Sequence, residues 1–193
     1  MNKALLVDIG GTNMRYAIAS KDSDNISDIN KLPFDSNDFE IQLEQLINEN
    51  HIEILVLSAA GPKINNSISM TNRNFIFNAN DIKNKFGLKE CFLLNDWEAI
   101  AYSYDFVSDS IKFIKEGSQF NKNTLFFGPG TGLGAALSLN NKIVLPTEIG
   151  NTTNSSLSLQ KNYNVENSAH LTLEDFVSGS AISNIYNCLL YTS

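Results

Sequence analysis

The sequence predicts an α/β fold built as two related halves. Three observations carry the prediction: an apolar run halted by paired glycines and resumed as a second strand, a strand-helix-strand succession around it, and a second strand-glycine-strand pattern late in the chain. The 193 residues, 42% hydrophobic and 18% charged, hold enough apolar material for one complete domain or a domain and a half.

Ala4 to Ile9 is a short apolar run stopped by Gly10-Gly11, and Met14 to Ala19 alternates. The opening is therefore a β-hairpin, not a strand running into a helix. Asp38 stands where a helix cap is wanted, and Phe39, Leu43, Leu46 and Ile47 recur at helical spacing through about Asn48. Ile52 to Leu57 is a continuous apolar strand, which suits a sheet covered on both faces and completes a β-α-β unit. Asn65-Asn66 separates two short strand-like pieces. The next helix takes Asn80 or Asp81 as its cap, turns Ile82 and Phe86 inward and stops at Gly87. A buried strand, Cys91 to Leu94, ends at Asn95-Asp96, and Trp97 to Tyr104 is helical. Val107 to Asn123 is more polar, and a boundary near Ser108 divides the chain into a first domain of residues 1–107 and a second of 108–193. The second segment opens with Thr124 to Phe127, breaks at a glycine loop, resumes at Ala135 to Leu139, turns at Asn140-Asn141 and returns through Ile143 to Leu145. Gln160 to His170 is a polar surface loop, and Ile182, Ile185 and Leu189 have helical spacing.

Lysine and arginine number 14 against 21 aspartates and glutamates, a net charge of -7. No basic stripe is available to neutralise a run of phosphates, so nucleic acid is excluded as a partner class. Arg15 and Arg73 are the only arginines. Cys91 and Cys188 are the only cysteines, too few for a disulfide scaffold or a four-cysteine zinc site, and Cys91 lies in an apolar run where a thiol acts as a small hydrophobe. The opening apolar stretch reaches Asp8 too soon for a secretory leader, and no run attains membrane-spanning length. A soluble, cytoplasmic protein without a membrane partner is expected. His51 and His170 have no third ligand at metal-type spacing and read as surface histidines.

The chemistry lies at the ends of the strands. Asp8-Ile9-Gly10-Gly11-Thr12-Asn13 puts a carboxylate at a strand end, followed by two glycines and a hydroxyl. Glycine lets backbone amides approach an anion without a Cβ in the way, and the adjacent Asp can hold the magnesium that accompanies a phosphate. Gly128-Pro129-Gly130-Thr131-Gly132-Leu133-Gly134 repeats the arrangement. Neither loop has the Gly-Lys-Ser/Thr of a P-loop or opens a helix as the dinucleotide fingerprint does. Asn95-Asp96 lies at a strand's C-terminal end, where open α/β sheets place ligands; Asp96 there is either a proton acceptor or a helix cap. Glu148 and Glu174 are candidate acceptors for sugar hydroxyls, and otherwise surface carboxylates.

In this order and spacing, Asp8-x-Gly10-Gly11-Thr12-Asn13, Thr71-Asn72, Asn95-Asp96, Gly128-x-Gly130-Thr131-Gly132-x-Gly134, Glu148-x-Gly150 and Glu174 ahead of Ser178-Gly179 resemble bacterial glucokinase. The resemblance extends to about Tyr186 and implies the actin-like ATPase (ribonuclease H-like) fold, two α/β domains with a cleft between them. It implies ATP-dependent phosphorylation of D-glucose at its 6-hydroxyl, with ATP and Mg2+ as cofactors. By matching motifs, Asp96 would accept the hydroxyl proton and Asp8 would orient Mg-ATP, holding the metal through water. Gly10, Gly11, Thr12 and Asn13, with Gly128, Gly130, Thr131, Gly132 and Gly134, would hold phosphates. Asn72, Asn95, Glu148, Asn151 and Glu174 would bind the sugar.

Two departures qualify what the resemblance implies. Glu148-Ile149-Gly150-Asn151 stands where the family usually has Glu-Gly-Gly-His, so a shorter amide replaces an imidazole and the preferred hexose stays open. Another hexose, an N-acetylhexosamine, and a non-catalytic sugar-binding regulator are the alternatives. The family's glycine-rich adenosine segment and returning C-terminal helix have no counterpart here, so a C-terminally truncated chain with an incomplete second domain, inactive by itself, is expected. The full-length protein is compatible with a homodimer.

Overall fold

In a computed structural model, which describes residues 3–20, 23–70, 73–107, 110–115, 117–118, 121–130, 132–153, 172–183 and 186, the opening hairpin is β1 (Lys3–Ile9) and β2 (Asn13–Ser20). Period-two alternation turns Leu5, Val7 and Ile9 into the core and leaves Asp8 on the opposite face. Strand β3 (Ser23–Ile26) and β4 (Asn30–Pro33) both pair with β2, antiparallel. Helix α1 (Phe39–Asn50) then returns the chain to β5 (Ile54–Ala59), parallel to β1. Its Phe39, Leu43, Leu46 and Ile47 are buried in one cluster with Leu5, Ile9, Leu55 and Leu57, as the helical spacing predicts. Phe34, Phe39, Phe75 and Phe77 pack edge to face at centroid separations of 4.8 to 6.2 Å, tying the loops beside the sheet to that core.

A small antiparallel sheet follows, β6 (Lys63–Ile64), β7 (Ser67–Ser69) and β8 (Ile76–Asn78). Asn65, between β6 and β7, takes a left-handed conformation, as a tight Asn turn requires. Helix α2 (Ala79–Phe86) closes at Gly87, whose φ of 63° fits a left-handed C-cap. Strand β9 (Glu90–Asn95) joins the first sheet parallel to β5 and leads into helix α3 (Asp96–Val107). The resulting six-stranded sheet runs β3-β2-β1-β5-β9, with β4 on β2.

The chain divides into two compact units, Met1–Ala99 and Ile100–Ser193. In the second, β10 (Thr124–Pro129), β11 (Leu133–Leu139) and β12 (Ile143–Thr147) form an antiparallel sheet. Asn140 and Asn141, both at positive φ, make the β11–β12 turn. Cross-strand pairing lines up Leu125, Leu137 and Leu145 on one face, where Leu125, Phe127, Ile143 and Leu145 are exposed.

Three local expectations are corrected. Asp38 precedes α1 but makes no capping hydrogen bond, because its backbone is already helical. The cap of α2 is Asn78, not Asn80 or Asp81: Asn78 is extended and its Oδ1 accepts the amides of Asn80 and Asp81 at 3.0 and 3.1 Å. Among the described residues β9 pairs with β5 alone, an edge rather than a buried strand, and its Phe92 is 51% exposed. Cys91, half-buried on β9, has its thiol pushed up to about 11 by burial. Ile182 is exposed, while Ile185, Leu189, Cys188 and His170 lie outside the described residues.

Asn78→Ala removes two amide contacts and should destabilise the chain by about 1 kcal/mol. Asp81→Ala, which removes no cap, should have a smaller effect on the thermal unfolding midpoint.

Candidate active site

The first glycine turn is held from three sides. The Gly10 amide donates to the Asn13 carbonyl at 2.9 Å, and the Phe34 amide to the Thr12 carbonyl at 3.1 Å. Arg73 grips the Gly11 carbonyl with Nε at 3.0 Å and Nη2 at 2.7 Å. The exposed amides of Gly11 and Thr12 donate to no group among the described residues. A Cβ at Gly11 would meet nothing within 4 Å, so no internal contact demands a glycine there. Asn13 Nδ2 donates to Thr12 Oγ1. Asp8 pairs with Arg15 Nη1 at 3.0 Å across the hairpin, half-exposed on both sides.

Asp96 stands at the junction of β9 and α3, two strands along the sheet from Asp8. The cap here is Asn95: its Oδ1 accepts the Trp97 amide at 2.9 Å and that of Glu98 at 3.4 Å, and its Nδ2 donates to the Gly61 carbonyl at 2.9 Å. Glu98 returns the contact, Oε2 accepting the Asn95 amide at 3.1 Å, which completes a capping box. Lys63 Nζ then donates to both Glu98 oxygens at 3.0 Å. Burial raises the Asp96 pKa above the ordinary carboxylate value; the Trp97 amide opposes this and the charge of Asp8 adds to it. The two carboxylates therefore feel one another.

In the second unit the Gly128–Gly134 loop closes on itself and on Glu174. Gly130 N–H donates to Gly132 O at 2.8 Å, Gly179 N–H to Gly130 O at 2.7 Å, and the Leu133 amide to Glu174 Oε2 at 3.1 Å. A Cβ at Gly132 would come within 2.7 Å of that oxygen and displace the Glu174 side chain, and one at Gly150 would sit 2.6 Å from the Leu133 carbonyl, so the backbone there requires glycine. Asn151 Nδ2 donates to Glu148 Oε2 at 3.2 Å across the turn Ile149–Asn151. Glu148, Asn151, Glu174 and the second glycine loop are thus neighbours through Gly150. Asn72 and Thr131 lie outside the described residues.

The glucokinase family profile matches residues 5–193. The chain belongs to the glucokinase family. It is 38% identical over 139 residues to the glucokinase of Colwellia psychrerythraea, an alignment covering 68% of this chain and 42% of that protein. To the glucokinase of Saccharophagus degradans it is 29% identical over 203 residues, covering 96% and 63%. The crystal structure of a glucokinase from an Antarctic psychrotroph superposes with a TM-score of 0.75 at 27% identity, covering all of this chain and 65% of that one. The fold is that of the actin-like ATPases, and the chain spans less than two thirds of the length of these relatives.

Sequence reasoning missed Glu98, Lys63, Arg73 and the Arg15–Asp8 pair. The Asn95-x-x-Glu98 spacing is a capping-box signal that points to Glu98. Nothing local marks Lys63 or Arg73, whose partners lie 35 and 62 residues away.

Asp96 carries its charge against burial, so ionising it weakens the fold. That penalty is absent below the pKa of an unfolded Asp, about 3.9, and is complete above the raised folded value. Asp96→Asn should therefore melt above the wild type at pH 7, with the gap closing as the pH falls toward about 4. Calorimetry at both pH values checks it; a variant that melts lower at pH 7 contradicts the raised pKa.

Proposed function

We propose that the protein is an ATP-dependent glucokinase that transfers the γ-phosphoryl group of ATP to the 6-hydroxyl of D-glucose. One arrangement carries the reading: the half-buried Asp96 carboxylate, sensing Asp8, in the same unit as a glycine turn with two unpartnered amides. Phosphoryl transfer asks a protein for alignment and charge neutralisation more than for covalent chemistry. Asp96 accepts the 6-hydroxyl proton as the sugar oxygen bonds to the γ-phosphorus. The bond to the bridging oxygen breaks and ADP leaves with its electron pair, after which Asp96 returns the proton to solvent.

The amides of Gly11 and Thr12 and the Gly128–Gly134 loop serve the phosphate oxygens. Magnesium, when bound, offsets their negative charge. Asp8, a hard oxygen donor half-exposed beside the turn and paired with Arg15, would hold that ion through water, as the family resemblance implies. Glu148, Glu174, Asn72, Asn95 and Asn151 make up the sugar set. The two glutamates are the charged acceptors of that set, with Glu174 Oε2 also taking the Leu133 amide and Glu148 Oε2 the Asn151 side chain. The same reading makes glucose and ATP the partners and the cytoplasm the location. A second reading, a kinase for another hexose or an N-acetylhexosamine, is favoured by Asn151 and its bond to Glu148.

Assayed on the full-length gene product, Asp96→Asn should lower turnover by roughly 100-fold or more while sugar affinity is nearly kept. Unchanged turnover removes Asp96 from the mechanism, and a sugar panel separates the two substrate readings.

The 193-residue chain alone should not phosphorylate glucose. Leu125, Phe127, Ile143 and Leu145 leave an apolar sheet face in water, forgoing about 25 cal/mol for each Å² of apolar surface not buried. Limited proteolysis should cut the second unit before the first. Measurable turnover by this chain would overturn the expectation.

A further inference from the structure

We infer that Arg73 is the positioning residue of the first glycine turn, fixing the Gly11 carbonyl so that the Thr12 amide of the same peptide unit is held ready for an anion. The inference rests on the reading of that turn as a phosphate site. Three carbonyls in succession, Gly11, Thr12 and Asn13, are each held by a donor: Arg73, the Phe34 amide and the Gly10 amide. A carbonyl turned toward an anion repels it, so engaging these three takes them out of an anion's path. Among the described residues no peptide bond is cis, and in a trans peptide the N–H points opposite to the C=O of the same unit. Anchoring the Gly11 carbonyl on Arg73 therefore aims the Thr12 amide away from Arg73.

The anchor is itself stiff. The Arg73 guanidinium lies over the Phe34 ring, 5.1 Å from its centroid, and Phe34 packs edge to face on Phe39 and Phe75. A planar fork can place two N–H groups on one carbonyl while stacking on a ring; a lysine cannot do both. Glycine has the widest backbone freedom, so a Gly-Gly turn needs an outside tether to hold one geometry. The other arginine, Arg15, pairs with Asp8 and touches no turn carbonyl.

The test uses the full chain with magnesium tripolyphosphate as the probe. Arg73→Ala and Arg73→Lys should both weaken its binding, by about tenfold for Ala, a charge-assisted contact's worth. In the free protein, the backbone order parameters of Gly11 and Thr12 should fall from about 0.85 toward 0.6 in both variants, while amides of β1 and β5 keep theirs. Full affinity in Arg73→Lys would mean that charge alone matters and would overturn the positioning role. Unchanged order at Gly11 and Thr12 would overturn it too, whatever the binding result. A wild-type chain that binds no tripolyphosphate, yet loses turn order in both variants, would sink the phosphate-site reading and leave the tether standing.

Discussion

The Lys63 ammonium, shared between both oxygens of a nearly buried Glu98, is the contact on which the geometry of the proposed base depends. Glu98 also accepts the Asn95 amide, so the end of β9, the start of α3 and strand β6 meet at one carboxylate. Removing one member of a buried pair strands the other charge and costs about 3–5 kcal/mol, whereas exchanging both for apolar residues is often neutral. The pair therefore earns its place through geometry. Gly61 shows how tight that geometry is: at φ 151° a Cβ there would sit 1.9 Å from the Ser69 carbonyl, and the Gly61 carbonyl receives the Asn95 side chain.

Charge is arranged with equal economy. Only two arginines serve the whole chain, and both lie at the first turn, one on the Asp8 carboxylate and one on the Gly11 carbonyl. In a protein of net charge -7 a triphosphate meets overall repulsion, so local attraction must come from oriented amides, a metal ion and these few cations. The second turn works differently. There a carboxylate, Glu174, is brought against the glycine loop, and bonding to the Leu133 amide occupies one of its oxygens.

Legibility from sequence followed range. The two hairpins, the α1 stripe and the Asn140-Asn141 turn were readable because each rests on neighbours within a few residues or on a plain period. The caps were misplaced because several Asn and Asp residues compete near each helix start: Asn78 lies two and three positions before Asn80 and Asp81, and Asn95 one before Asp96, and only backbone conformation decides between them. The burial of β9 was overstated because an apolar run does not say whether a further strand lies beside it. The motif residues were found by their order along the chain, but the residues that hold them were not. Lys63, Glu98 and Arg73 carry no motif, and their roles exist only once distant strands have paired.

Cys91 sits on β9, paired opposite Leu55 and four residues before Asn95. Burial pushes its thiol up to about 11, so the thiol stays protonated at neutral pH. Alkylating reagents and peroxide therefore pass it by while the edge strand is docked, and find an ordinary cysteine once it frays. Cys91 thereby reports the opening of the strand that leads into Asn95 and Asp96.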